Sequence, residues 1–228
     1  MSRSNIRSEA DLKNRSSTLT PLLTPLLTPL LALSLLGGCA STKPVTQTTY
    51  DLGIPAPVSL LAADRAQTVV PAAIQPITVA DVTSASWLDS QAMYFRLRYE
   101  NDQQPRPYAH SRWSMPPPQL FEQRLKTRLA EAGGVVLSGA DGAINIPMLR
   151  VDTADFSQRF SSAQQSDVQV SVRASVLNRR ILVAQKIFTQ VRPAATADAA
   201  GGVGALATAA DAVIGDMMVW LAALPVKK

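Results

Sequence analysis

Val168, Val170, Val172, Ala174 and Val176 alternate with Gln169, Ser171, Arg173 and Ser175. A period of two belongs to a β-strand with one buried face and one wet face. Such a strand obliges the chain to build a sheet and to cover its apolar side. Asn178-Arg179-Arg180 then turns into Ile181 to Phe188, which predicts an antiparallel hairpin. A strand is expected before it, from Ile146 to about Phe156, and two more at Ile77 to Val82 and Met93 to Tyr99.

Two helices supply the cover. Pro116-Pro117-Pro118 can open one, because proline is tolerated in the first turn, and Phe121, Leu125, Leu129 and Ala132 then share a face. Gly133-Gly134 ends it. Glu122, Arg124, Lys126, Arg128 and Glu131 read as its solvated side. The Ala/Gly-rich stretch from Pro193 to Gly204 reads as a connector, followed by a helix from Ala205 to Leu224 with Leu206, Ala210, Val213, Met217, Trp220 and Leu224 in a stripe. Asn101 to Pro107 reads as a polar link between a strand and the first helix. The predicted fold is α+β: a mainly antiparallel sheet with two helices packed on one face.

The first 38 residues follow the plan of a secretory signal: a polar, net-positive start through about Thr18, an apolar region around Leu19 to Leu36, and small residues before a cleavage point. Thr-Pro-Leu-Leu recurs three times inside it, and its prolines disfavour helix. Leu36-Gly37-Gly38-Cys39 resembles the bacterial lipobox, which implies cleavage between Gly38 and Cys39 and lipid on the Cys39 thiol. Several acyl chains on one residue anchor firmly, at about 0.8 kcal/mol per buried CH₂. Ala40 follows where an Asp would imply inner-membrane retention, so the resemblance favours the outer membrane and the periplasmic side of the envelope. The expected organisation is a signal peptide over 1–38, a tether over 39–49 and a folded domain over 50–228. Beyond the signal, no stretch is expected to reach the roughly 20 apolar residues of a membrane span.

The chemistry the residues allow is narrow. Cys39 is the sole cysteine and His110 the sole histidine, so no internal disulfide, no His-rich metal site and no cofactor beyond the covalent lipid is expected. The +5 net charge gives little support to nucleic-acid binding, since Arg3, Arg7, Lys13 and Arg15 fall in the signal and the other bases are dispersed. Gly202-Val203-Gly204-Ala205-Leu206-Ala207 matches a dinucleotide-binding pattern in letters but lacks the strand before it and the βαβ unit around it. His110 has no G-x-S-x-G elbow to serve. Asp141, Asp152 and Asp155 are carboxylates whose spatial pairing the sequence leaves open. No enzymatic activity is expected. An aromatic and basic run, including Tyr94, Arg96, Tyr99, Tyr108, Arg112 and Trp113, has the composition of a protein interface and equally that of core edges with polar tips.

The lipobox, Tyr50-Asp51-Leu52-Gly53, the strand from Tyr94 to Tyr99, and Ser111-Arg112-Trp113 before a proline-led helix carrying Leu120 and Leu125 come in a telling order. Together they resemble the ABC-type transport auxiliary lipoprotein component family, which includes PqiC-type intermembrane lipoproteins. The resemblance runs from about Tyr50 to Leu224. It implies a non-enzymatic lipoprotein subunit that docks onto a periplasmic MCE protein and ABC transporter subunits moving lipid between membranes, and it admits a homo-oligomer. Tyr94, Arg96 and Trp113 fall where the family shows its aromatic and basic pattern, and with Tyr108 they form the expected partner interface. The competing expectation is an outer-membrane biogenesis lipoprotein that chaperones or plugs a β-barrel; copurification separates the two.

Overall fold

The computed structural model describes residues 46–55 and 74–225. The signal, Gly38 and Cys39 lie outside these residues. In chain order the described elements are β1 (Thr48–Tyr50), β2 (Ile77–Val79), β3 (Thr83–Ser84), β4 (Ala92–Leu97), β5 (Asn101–Trp113), α1 (Pro117–Glu131), β6 (Val136–Ser138), β7 (Met148–Ser162), β8 (Gln165–Asn178), β9 (Ile181–Pro193) and α2 (Ala199–Ala222).

The long strand β7 is the spine. Along one edge it pairs antiparallel with β8 over its whole length, from Met148↔Leu177 to Ser162↔Gln165. Along the other it meets three short strands in turn, all parallel: Thr78↔Met148 in β2, Thr83↔Asp152 in β3 and Phe95↔Gln158 in β4. β8 pairs antiparallel with β9, and β4 with β5, while β1 and β6 add parallel pairs to β5 and β2. The long ladders are antiparallel as expected, but the short parallel ones make the sheet mixed. Alternation reveals a strand; it does not reveal the direction of its neighbour.

The core follows the predicted stripes. Val168, Val170, Val172, Ala174 and Val176 are buried with Phe121, Leu125 and Leu129 of α1 and Leu206, Ala210, Val213 and Met217 of α2. α1 starts and stops where the prolines and Gly133 place it; Gly133 has φ +79°, a left-handed conformation that a side chain would strain. α2 is long and apolar enough to cross a membrane, with a mean hydropathy of 1.5, which departs from the sequence expectation. In the structure it is a core helix, and its apolar stripe is consumed by β8 and β9.

Three other expectations are corrected. Asn101 to Pro107 is not a link but the first half of β5. Its prolines and polar side chains hide a strand because β1 flanks β5 only at Ser111–Trp113, and among the described residues the outer edge earlier in β5 has no strand partner. α2 begins six residues before Ala205, because the Asp198 carboxylate accepts from the Gly201 N–H at 2.8 Å and caps the helix. The charged side of α1 is not uniformly solvated: Arg124 and Arg128 are buried.

Candidate functional site

α1 and α2 are joined by an ionic clasp. Asp211 sits in the apolar run Ala209-Ala210-Asp211-Ala212-Val213 and faces Arg124 and Arg128, one helical turn apart. Arg124 donates through Nε and Nη2 at 2.7 Å each; Arg128 donates through Nε at 3.1 Å and Nη2 at 2.9 Å. Arg124 and Arg128 are only 7% and 3% exposed. Burial acts against the Asp211 charge, but the two guanidinium forks outweigh it and hold the carboxyl below its usual range. Arg124 also donates through Nη1 to the carbonyls of Leu52 and Gly53 at 2.9 and 3.0 Å. The Tyr50-Asp51-Leu52-Gly53 turn is closed by Gly53 N–H to Asp51 Oδ1 at 2.7 Å and is thereby fastened to both helices.

The other side of the sheet carries a polar ladder. Asp155 accepts from Ser157 Oγ at 2.6 Å and from Gln169 Nε2 at 3.1 Å. Gln169 Oε1 accepts from Arg159, which also donates to Asp167 through Nε at 2.8 Å and Nη2 at 2.6 Å. Asp155 is pushed above its usual range, because burial outweighs the hydrogen bond from Ser157 and the charges of Arg96 and Arg159. Beside this ladder Tyr94 and Trp87 meet edge to face at 5.3 Å, and the Arg96 guanidinium lies 5.5 Å from the Trp87 ring centre. Arg96 donates to the Asp102 carbonyl at 2.8 Å.

The structure therefore divides the four expected interface residues. Alternation in β4 turns Tyr94 and Arg96 to the polar side and Phe95 inward. Tyr108 joins Phe95 in an aromatic contact at 4.7 Å and donates to Gln158 Oε1 at 2.9 Å; Gln158 in turn donates to Ser166 Oγ at 2.8 Å. Burial first, and the Asp198 charge second, push the Tyr108 hydroxyl up. Trp113 is 1% exposed and packs edge to face on Phe156 at 5.6 Å, so it is core. Trp87, which sequence reading passed over, completes the Tyr94–Arg96 cluster instead. Its place near the strand in a polar stretch was the available signal.

The remaining candidates are also placed. Gly202 belongs to α2, where a Cβ would stand 2.1 Å from Gln158 Oε1; it serves close packing, not a phosphate. Asp141 accepts from the Ser138 N–H at 2.7 Å, and Asp152 pairs with Arg173 at 2.9 Å. Asp141, Asp152 and Asp155 thus each have a separate structural partner. Among the described residues no group of three or more potential ligands is arranged to hold a metal ion.

The model of the family described as ABC-type transport auxiliary lipoprotein component matches residues 59–218. No match is found among curated proteins. Among solved structures, a Xanthomonas campestris protein of the family DUF330 shares 18% identity at TM-score 0.63, covering 77% of this chain and 95% of that one. A second, described as an uncharacterized protein, shares 17% identity at TM-score 0.58 over 76% of this chain and 97% of its own. These two show the fold. The family match extends over most of the chain, and the protein belongs to the ABC-type transport auxiliary lipoprotein component family.

Proposed function

We propose that the protein is the non-enzymatic docking subunit of an ABC/MCE-type intermembrane lipid transport system, held on the periplasmic side of the outer membrane by lipid on Cys39. The family match over 59–218 carries this reading, because it reaches from β2 into α2 and so embraces the whole long-stranded scaffold. The Trp87–Tyr94–Arg96 cluster is the docking surface of choice: aromatic and arginine side chains dominate interface energetics, and here they are half-buried and pre-positioned. Tyr108 and Trp113 support that surface from the core side. A homo-oligomer is compatible with this reading, since β9 and most of β5 each leave an edge unpaired among the described residues.

The test is copurification of the mildly solubilised protein with mass-spectrometric identification of partners, wild type beside Cys39→Ala and Arg96→Glu. MCE and ABC subunits in the wild type, lost with Arg96→Glu, support the reading. A β-barrel partner, or the same partners undiminished by Arg96→Glu, counts against the transport role or the assigned surface respectively.

A further inference from the structure

One end of the sheet gathers features that neither the core nor the docking surface uses. The turn between β8 and β9 is Arg179-Arg180, and both have left-handed φ, +48° and +72°. Two-residue hairpin turns of this geometry favour Asn-Gly, since bulky side chains are strained there. Asn145, with φ +61°, is the third non-glycine residue of this kind among the described residues, and it accepts from Arg179 Nε at 3.2 Å. All three lie at the same end. Around them Ile144, Ile181 and Leu182 are 82%, 71% and 55% exposed. Arg150 is exposed nearby, and neither it nor Arg180 has an ion-pair partner among the described residues.

Strain tends to be kept where it serves a function. The tip is cationic and apolar, and it presents a handful of exposed side chains. A stable protein interface uses about 20–30 residues on each side, whereas protruding apolar side chains beside arginines suit the boundary of an anionic bilayer, where the chains enter and the guanidinium groups stay at the phosphates.

We infer that the Arg179–Arg180 hairpin tip, with Ile144, Ile181 and Leu182, is a second membrane contact that inserts into an anionic phospholipid surface. From the proposed function it takes only that the chain is held at a membrane.

The test uses the lipidated full-length protein in vesicles of phosphatidylcholine, with or without phosphatidylglycerol. Cys39 is the only natural cysteine, so with its thiol blocked by the diacylglyceryl thioether Leu182→Cys can be labelled with nitrobenzoxadiazole, and Gln164→Cys, in the turn at the opposite end of the β7–β8 hairpin, serves as control. The Leu182 label is expected to shift to the blue and be quenched by bromolipid in phosphatidylglycerol vesicles, while the Gln164 label stays in water. Arg179→Asn with Arg180→Gly keeps the turn geometry and is expected to reduce the membrane-bound fraction of the tip about tenfold. A Leu182 label as water-accessible as the Gln164 label overturns the inference, as does equal insertion into phosphatidylcholine alone, or protection seen only when transporter subunits are added. Mass spectrometry of the Cys39 peptide tests acylation independently of the tip.

Discussion

Asp211 and Asp155 lie on opposite sides of the same sheet, and each is withdrawn from water, yet they depart from the ordinary carboxylate range in opposite directions. Asp211 meets two charged forks that saturate both of its oxygens. Asp155 meets a hydroxyl and an amide, while its nearest cations are engaged elsewhere: Arg159 by Asp167 and Gln169, Arg96 by the Asp102 carbonyl. Burial is common to both; the charge of the hydrogen-bond donors decides the sign. The covered side has spent its ionic pairs on holding two helices together, and the open side keeps polar groups that are satisfied but adaptable.

The sharpest attack on this contrast is Asp211→Ala, which removes the carboxylate shared by two buried guanidinium groups and leaves Arg128 its contact with Glu131 at 3.1 Å. It should cost about 3–5 kcal/mol in urea unfolding. Replacing all three together, Arg124→Met, Arg128→Leu and Asp211→Leu, should recover most of that loss, because a buried ion pair matched by apolar packing contributes little net stability. The clasp also predicts acid sensitivity. Because the folded carboxyl lies below its unfolded value of about 3.9, its stabilisation is present above that value and is lost as pH falls toward the depressed one. An undiminished triple-variant deficit would show that the clasp carries positioning of the Tyr50–Gly53 turn beyond its own charge balance.

Next in size is Gly202→Ala. The new Cβ would enter the space of Gln158 Oε1, and Gln158 is 2% exposed and held by Tyr108 and Ser166. A loss of about 1–3 kcal/mol is expected by thermal unfolding. Gly204→Ala, which meets nothing within 4 Å, should be neutral or slightly stabilising in the same helix. Equal losses at both positions would mean that something other than the approach to Gln158 governs this end of α2.

These residues also show what the sequence made legible. Apolar periodicity located β8 and both helices, because hydrophobic faces leave a local imprint, and β7 and β9 follow as the neighbours of β8 on either side. The clasp left none on α1: Arg124 and Arg128 look like any solvated pair, and their partner lies more than 80 positions away. Asp211 itself was the readable half, an acid inside an apolar helical run that burial makes costly unless a cation meets it. β5 escaped because Pro105, Pro107 and its polar side chains suit an exposed strand flanked by β1 only at its end. The expected interface was only half coherent for a related reason. Register irregularities in the β4–β5 ladder bring both Tyr108 and Trp113 to the core side although they lie five positions apart, which strict alternation forbids.

Of the smaller effects, Arg179→Asn with Arg180→Gly should raise stability by about 1 kcal/mol, since both new residues accept the left-handed turn. A gain in unfolding free energy together with loss of vesicle insertion would separate the tip's role at a membrane from any role in the fold. Loss of both would place the tip among the structural elements with Asp211.

Asp155→Asn is the smallest and most direct test of the sign difference. In the folded protein the Asp155 carboxyl holds its proton to a higher pH than in the unfolded chain. Below the unfolded value of about 3.9 both states are protonated and the wild type carries no ionisation penalty. As pH rises past it, the unfolded chain releases its proton first, so wild-type stability falls until the folded carboxyl also ionises, and the deficit then stays constant. Asparagine does not titrate, so the variant should gain on the wild type through that window and then level off, the better placed of the two near neutral pH. Thermal unfolding at a series of pH values would show it. A variant that instead loses ground as pH rises would mean that Arg96 and Arg159 act on Asp155 as Arg124 and Arg128 act on Asp211, and the two sides of the sheet would then differ in degree but not in kind.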